Sequence, residues 1–180
     1  MAENLKTTRY NTGSQIHNVT GDDDWADLIT SAYRWYNNDL ATYKNMYGAL
    51  YNWYTVKTGK LCSTGWYVPS DDEWKQLEMT LGMTQAEADS WWGEDYGDIG
   101  RDTDQGTQMK ATIGWNDWEG IYGNGTNTSG FSGLPGGYTG LYGRFEIAGQ
   151  CGSWWSSTNE VAYRYRLSGA GTKPPCGASP

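Results

Sequence analysis

Carboxylates interleaved with tryptophans are the residues of this sequence that could act together on a substrate. The acids are Glu94, Asp95, Asp98, Asp102, Asp104, Asp117 and Glu119, and the neighbouring tryptophans are Trp91, Trp92, Trp115 and Trp118. Sugar rings stack on indole faces, and a pair of carboxylates can cleave a glycosidic bond. A carbohydrate-active hydrolase is therefore one hypothesis. The alternative is that these acids are the ordinary solvated surface of an acidic protein.

The sequence shows no other arrangement typical of catalysis. His17 is the only histidine and lies in a polar segment, and there is no Gly-x-Ser-x-Gly nucleophile motif and no phosphate-binding Gly-rich loop. The three Asp residues at 22–24 lack the ligand spacing of a calcium loop and favour the start of a helix. We therefore predict no cofactor and no metal.

A binding surface is indicated instead by the stretch GSWWSSTNEVAYRYR, residues 152–166. Trp, Tyr and Arg supply large rigid contacts, while Ser and Asn supply adaptable hydrogen bonds. The predicted ligand-binding residues are Ser153, Trp154, Trp155, Asn159, Tyr163, Arg164, Tyr165 and Arg166. Strand alternation predicts that one tryptophan packs in the core while the other faces out. It also places the two tyrosines and the two arginines on opposite faces.

Composition bounds the partners and the architecture. The chain of 180 residues carries net charge −8, 11 Trp, 14 Tyr and 25 Gly but only 2 Phe. The negative charge argues against nucleic acid and anionic membranes as partners. No stretch is apolar enough for membrane insertion, and the first fifteen residues lack the apolar core of a signal peptide. We expect one domain, rich in loops and short strands, over residues 1–170, with a flexible tail at 171–180.

Local patterns predict where the helices lie. Apolar spacings of three and four after the Asp triplet predict a helix from Trp25 to Ala32. Ser70 and Glu73 form a capping-box pattern at the start of a second helix, which Gly82 would end. Thr84 is a candidate cap for a further short helix. The predicted core residues are Trp25, Leu28, Trp53, Trp66, Trp74, Leu77 and one of Trp154 and Trp155.

Several strings occur in an order that resembles a known family. They are MAENLKTTRYN, YGALYNWYTVKTGKLCSTGWYVPSDDEW, GTQMKATIGW, GTNTSGFSGLPGGY and GSWWSST. Together they resemble the Fibrobacter succinogenes major paralogous domain family. The resemblance implies an α+β fold of the C-type-lectin-like type, with two helices, short twisted and mostly antiparallel strands and long Gly-rich loops. It also implies a bacterial protein that is extracellular or on the cell surface.

The same resemblance bears on function. Related folds serve phages and bacteria as variable receptor-binding proteins that retroelements diversify, and their variable residues begin near a Gly-Ser-Trp-like motif. Gly152, Ser153 and Trp154 resemble that motif. Formylglycine-generating enzymes are similar in fold and have cysteines flanking a Tyr-Arg-Tyr-Arg string. Here Ala162 and Leu167 flank that string, so the resemblance implies no thiol catalysis.

The chain departs from the family pattern at both ends. The usual first strand and the usual Cys-containing last strand are expected to be missing or replaced, which would leave open strand edges and invite self-association. The cysteines are Cys62, Cys151 and Cys176, and residue counting allows three thiols or one disulfide and one thiol. By resemblance, Cys176 would replace the family's last cysteine and pair with Cys62.

The sequence thus favours a non-enzymatic surface recognition module for adhesion. Its ligand would be a glycan or a cell-surface protein. Two alternatives stay open: the hydrolase described above, and a structural subunit of a surface assembly that self-associates.

Overall fold

The fold is α+β, with short helices and small sheets joined by long turns. The computed structural model describes residues 3–89, 104–118, 120–158 and 164–168, the last of these by backbone alone. None of the helices in these ranges is long and apolar enough to cross a membrane. The predicted tail at 171–180 lies outside the described residues, and the single-domain division stays a prediction.

The first half of the chain builds a three-stranded sheet flanked by short helices. Its elements in order are β1 (His17–Asn18), α1 (Asp22–Ala26), β2 (Ala32–Trp35), a 3₁₀ turn (Tyr36–Asn38), α2 (Leu40–Tyr47), β3 (Ala49–Tyr51) and α3 (Trp53–Val56). The strand order is β1-β2-β3, with β1 parallel and β3 antiparallel to β2. The central strand β2 is therefore covered on both edges, and all four of its residues are buried.

The predicted helix from Trp25 to Ala32 is wrong beyond its first turn. Helix α1 ends at Ala26, Ile29 is 76% exposed, and Ala32 begins β2. Spacings of three and four over so short a run do not distinguish a helix from a turn that leads into a strand, so Leu28, Ile29 and Ala32 fitted a helical pattern by chance. Both Trp25 and Leu28 are half-buried rather than central to the core.

Fully buried Arg34 is the charged residue of β2. Its guanidinium donates to the carbonyls of Gly143 at 2.6 Å and Thr20 at 2.9 Å, and it pairs with Asp22 at 3.0 Å. Its Cζ lies 4.0 Å from the centre of the Phe145 ring. Because a buried charge must be paired and hydrogen-bonded, this network ties the sheet to the turn before Phe145.

The next helices begin where the sequence predicts. Helix α4 (Asp71–Thr80) has the complete capping box of Ser70 and Glu73, and α5 (Gln85–Ala88) has a second one built on Thr84. Both caps are therefore confirmed. Helix α6 (Gln105–Met109) follows. The described ranges hold six α-helices, whereas the resemblance implied two and the local patterns predicted a third at Thr84. The additional helices α2, α3 and α6 were not predicted, because α3 and α6 are single turns of four or five residues and α2 buries no residue that would mark a face.

Two antiparallel hairpins complete the described part. Strands β4 (Tyr138–Thr139) and β5 (Phe145–Glu146) form one, and β6 (Cys151–Trp155) and β7 (Arg164–Ser168) form the other. Gly137 joins them through a bridge to Gly152. Gly137 has φ +66°, and a Cβ there would lie 2.4 Å from the Glu146 carbonyl, so this junction requires glycine.

The core consists mainly of two aromatic clusters, one on each side of β6. The first cluster is centred on Ile16, Tyr33, Trp35, Val56 and Leu61, with Trp53, Val68 and Trp155 packed against it. The second cluster is centred on Trp74, Met109 and Trp115, with Leu77, Phe131 and Trp154 packed against it. Core positions are thus confirmed for Trp74, and Trp53 and Leu77 lie at the cluster edges.

Cysteine pairing differs from the expectation. Cys62 is a free, half-buried thiol, and burial raises its pKa. The predicted bond between Cys62 and Cys176 is therefore wrong. Cys151, at the start of β6, is fully buried and disulfide-bonded. Cys176 lies outside the described residues.

Candidate functional site

Strand β6 holds the tryptophan pair from which the sequence predicted a binding surface. Trp155 faces the first cluster, where its Nε1 donates to the Tyr51 carbonyl at 2.7 Å and its ring centre lies 5.7 Å from that of Trp53. Trp154 faces the second cluster and contacts Phe131, with ring centres 5.4 Å apart. Both indoles are thus half-buried packing residues. The expectation that one faces outward is not met, because each face of β6 has its own cluster.

The remaining predicted residues are placed only in part. Ser153 is half-buried, with its Oγ 3.8 Å from the Sγ of Cys151. In the backbone register of the hairpin, Ser153 pairs with Arg166, Trp154 with Tyr165 and Trp155 with Arg164. The side chains of these three β7 residues lie outside the described part of the structure. So do Asn159 and Tyr163 entirely.

The end of β6 lies against the segment that leads into α4. The Ser157 N–H donates to the Pro69 carbonyl at 2.8 Å. The Asp71 N–H donates to the Thr158 Oγ1 at 2.8 Å. These two hydrogen bonds place Pro69 and Asp71, which closely follow residues 66–67 in the chain, next to the end of the hairpin that was predicted to bind.

Trp66 and Tyr67 form an exposed aromatic pair at this place, which we name the Trp66–Tyr67 surface. Their exposed fractions are 77% and 69%. The pair follows a turn in which the Trp66 N–H donates to the Ser63 carbonyl at 2.9 Å and Gly65 has φ +86°. Val68, the next residue, packs against the first cluster. The two rings therefore project from a segment that Val68 anchors to the core and that begins in an exposed turn.

A carboxylate orients the tyrosine of this surface. The Tyr67 hydroxyl donates to Glu73 Oε1, and Glu73 Oε2 accepts from the Ser70 N–H at 2.8 Å. The hydrogen bond from Tyr67 is the largest cause that lowers the pKa of Glu73, and the same bond raises the pKa of Tyr67. Glu73 is therefore ionised at neutral pH. Its carboxylate serves both the capping box of α4 and the Tyr67 hydroxyl, so it links the helix start to the exposed pair.

Two further carboxylates stand at the start of α4. Asp71 lies 3.4 Å from Lys75, whose ammonium also donates to Asp89 at 2.9 Å. The hydrogen bond to Asp89 is the largest cause that raises the pKa of Lys75. Asp72 is exposed, and no described group hydrogen-bonds or pairs with its carboxylate. Among the described side chains, the start of α4 thus carries exposed negative charge, with Lys75 already engaged.

The described residues bear on only part of the hydrolase hypothesis. Of the seven candidate acids, only Asp104 and Asp117 are described. Asp117 accepts from the Gly123 N–H at 3.0 Å and stabilises a loop, and Asp104 Oδ2 lies 3.4 Å from the Gln108 Nε2. Trp115 is buried in the second cluster. Within the described ranges, no group of three His, Cys, Asp or Glu residues could hold a metal ion.

An open cleft of about 450 Å³ lies beside β1, at the edge of the three-stranded sheet. Its lining residues are Thr8, Gln15, Ile16, His17, Asn18 and Tyr33. No acid or nucleophilic thiol is among them, so His17 has no partner there for base catalysis. The residues that line this cleft therefore do not resemble a catalytic site.

Sequence reasoning missed the Trp66–Tyr67 surface. Trp66 was assigned to the core, and Tyr67 was assigned no role. The available signal was the Ser-Thr-Gly turn at residues 63–65, directly before two aromatic residues that fit neither helical nor strand spacing.

Comparison with known proteins identifies a family but no individual relative. No curated protein and no solved structure matches the sequence significantly. The family described as Fibrobacter succinogenes major domain matches residues 1–169, which is nearly the whole chain. This protein therefore belongs to the Fibrobacter succinogenes major domain family.

Proposed function

We propose that this protein is a non-enzymatic recognition module that binds a glycan or a cell-surface protein at the Trp66–Tyr67 surface and the adjoining β6–β7 hairpin. The observation that carries the proposal is the exposure of two adjacent large aromatic rings on a segment that Val68 anchors to the core. Trp and Tyr are the side chains that most often supply binding energy at protein interfaces. The anchoring of Val68 and the hydrogen bond from Tyr67 to Glu73 would lower the entropic cost of binding.

The proposal gives the predicted residues two different roles. Trp154 and Trp155 hold the hairpin in place through the two clusters. The ligand contacts are then Trp66 and Tyr67 together with the predicted hairpin residues Asn159, Tyr163, Arg164, Tyr165 and Arg166. The hydrogen bonds from Ser157 and to Thr158 support this grouping, because they fasten the end of the hairpin to residues that closely follow the exposed pair.

We also propose that the α+β fold is of the C-type-lectin-like type and that the protein works outside the cell or on its surface. Short antiparallel hairpins and long Gly-rich turns support the fold assignment. The disulfide at Cys151 supports an oxidising compartment, where such bonds persist. Variable receptor binding, as in the phage and bacterial proteins of similar fold, is the corresponding biological role.

A binding screen tests the proposed function. Wild-type protein, the double variant Trp66→Ala/Tyr67→Ala and the control Tyr142→Ala would be applied to a glycan and cell-surface protein array. Tyr142 is 78% exposed in the β4–β5 turn, so this control removes an exposed aromatic ring at a different place. We expect hits that the control keeps and the double variant loses.

Two outcomes would contradict this proposal. Hits that survive in the double variant would place recognition elsewhere on the molecule. A blank array from folded wild-type protein, together with concentration-dependent self-association in the ultracentrifuge, would favour the structural-subunit alternative.

A further inference from the structure

We propose that the Trp66–Tyr67 surface binds a cationic side chain, arginine or lysine, presented by a polypeptide segment of a partner protein. This inference rests on the proposed function, because it names the chemical class of ligand for the same surface. It follows from the rings, from the carboxylates around them and from the charge of the whole chain.

Cations of this chain lie over several of its own aromatic rings. The described pairs are Arg34 with Phe145 and Trp25, Lys44 with Trp35, Lys57 with Tyr54 and Lys110 with Trp115, at 4.0–5.8 Å from the ring centres. None of the cations whose side chains are described lies over Trp66 or Tyr67. These two exposed rings therefore offer their faces to a cation from another molecule.

Carboxylates of Asp72 and Glu73, at the start of α4, give this region a negative charge that favours a cationic ligand. Glu73 accepts the hydrogen bond of the Tyr67 hydroxyl, and a phenol that donates to a carboxylate has a more electron-rich ring and attracts a cation more strongly. Asp72, one residue away, is exposed and has no described partner. Arginine or lysine can contact a ring face and a carboxylate at once with a favourable charge attraction to both, whereas a neutral sugar has only its hydroxyl hydrogen bonds and C–H contacts.

The negative charge of the whole chain attracts a cationic partner at long range. The chain carries net charge −8, a sum that already includes Arg164 and Arg166. A field of this sign concentrates cationic partners and repels anionic ones. Lys75, the described cation on α4, is held between Asp71 and Asp89 and does not neutralise the exposed Asp72.

Fluorine NMR on the intact 5-fluorotryptophan-labelled protein tests the inference, with the Trp66 resonance identified by its disappearance in Trp66→Phe. The probes are the peptide Gly-Arg-Gly-Arg-Gly, the matched peptide Gly-Glu-Gly-Glu-Gly, and maltotetraose and chitotetraose as neutral glycans. We expect the arginine peptide alone to shift the Trp66 resonance. Tyr67→Ala should weaken its binding about two- to fivefold, the loss of one exposed cation–π contact.

Charge variants sharpen the test. Asp72→Asn should weaken binding of the arginine peptide, and raising the salt concentration should weaken it further, because both changes reduce an exposed electrostatic attraction. Tyr142→Ala, which removes an equally exposed ring elsewhere, should leave the affinity unchanged. Equal loss in Tyr142→Ala and Tyr67→Ala would show nonspecific attraction and overturn the inference.

The remaining outcomes separate this inference from the proposed function. A Trp66 shift with a glycan or the glutamate peptide, and none with the arginine peptide, overturns the cationic ligand while a recognition role stands. No shift with any probe also overturns the cationic ligand. The recognition role itself then depends on the array, where it fails if hits survive in Trp66→Ala/Tyr67→Ala.

Discussion

Two adjacent pairs of aromatic residues in this chain have opposite environments. Trp154 and Trp155 lie in β6 and pack against the second and first clusters, respectively. Trp66 and Tyr67 lie in the segment before α4, and both are largely exposed. The pairs are nearly identical in composition, and hydrogen bonds join the ends of their segments.

The difference between the pairs comes from what lies on each side of the backbone. Strand β6 runs between two clusters, so alternating side chains are both covered. The segment at 66–67 is anchored on one side only, by Val68, and its neighbour on the other side is an exposed turn. Aromatic content therefore indicates a contact surface only where the fold leaves one face uncovered.

The largest effect should come from truncating the β6 pair. Trp155→Ala removes the contact with Trp53 and the hydrogen bond to the Tyr51 carbonyl, so we expect the free energy of unfolding to fall by about 3–5 kcal/mol. Denaturant titration measures this. Trp66→Ala, the matched change in the exposed pair, should stay within about 0.5 kcal/mol of wild type. Equal losses in the two variants would remove the contrast.

An intermediate effect is expected where the exposed pair is anchored. Val68→Ala trims an apolar side chain that packs against the first cluster, which should cost about 1 kcal/mol of stability. It should also weaken ligand binding, since Trp66 and Tyr67 would be less well fixed. Calorimetric titration beside Val68→Ile checks this. Full affinity in a clearly destabilised Val68→Ala would show that the anchor is irrelevant to binding.

A smaller effect concerns the capping box next to the surface. Ser70→Ala removes the hydroxyl that accepts from the Glu73 N–H, which should cost about 1 kcal/mol or less. Ser70→Asp preserves a capping acceptor and should retain most of that stability. Thermal melts of the two variants measure the difference. Identical melts would mean that α4 is held by packing alone.

The smallest effect is in the titration of Tyr67 and Glu73. The pKa of Glu73 is lowered on folding, so its contribution is present above the ordinary carboxyl pKa and is lost as pH falls through the folded value. The pKa of Tyr67 is raised, so its contribution is lost as pH rises through the folded value. Tyr67→Phe should raise the pKa of Glu73, measured by carbon NMR of its carboxyl group. An unchanged midpoint would show that the bond is absent in solution.

Local signals predicted the parts of the fold that local chemistry decides. The capping boxes at Ser70 and Thr84 were read correctly, because a cap involves only four neighbouring residues. Strand β2 was missed, because its burial on both faces depends on partners distant in sequence. Trp66 was misplaced for the same reason: whether an indole is covered depends mainly on which elements pack nearby, and the Ser-Thr-Gly turn before it is the one local sign of its exposure.

The most direct test of the contrast between the two pairs is oxidative footprinting of the protein, free and with a ligand from the array. Labelling at Trp66, Tyr67, Trp154 and Trp155 would be followed together by mass spectrometry. We predict rapid labelling of Trp66 and Tyr67 that the ligand suppresses, and slow labelling of Trp154 and Trp155 that the ligand leaves unchanged. Ligand protection at Trp154 or Trp155, with Trp66 and Tyr67 unaffected, would contradict the account.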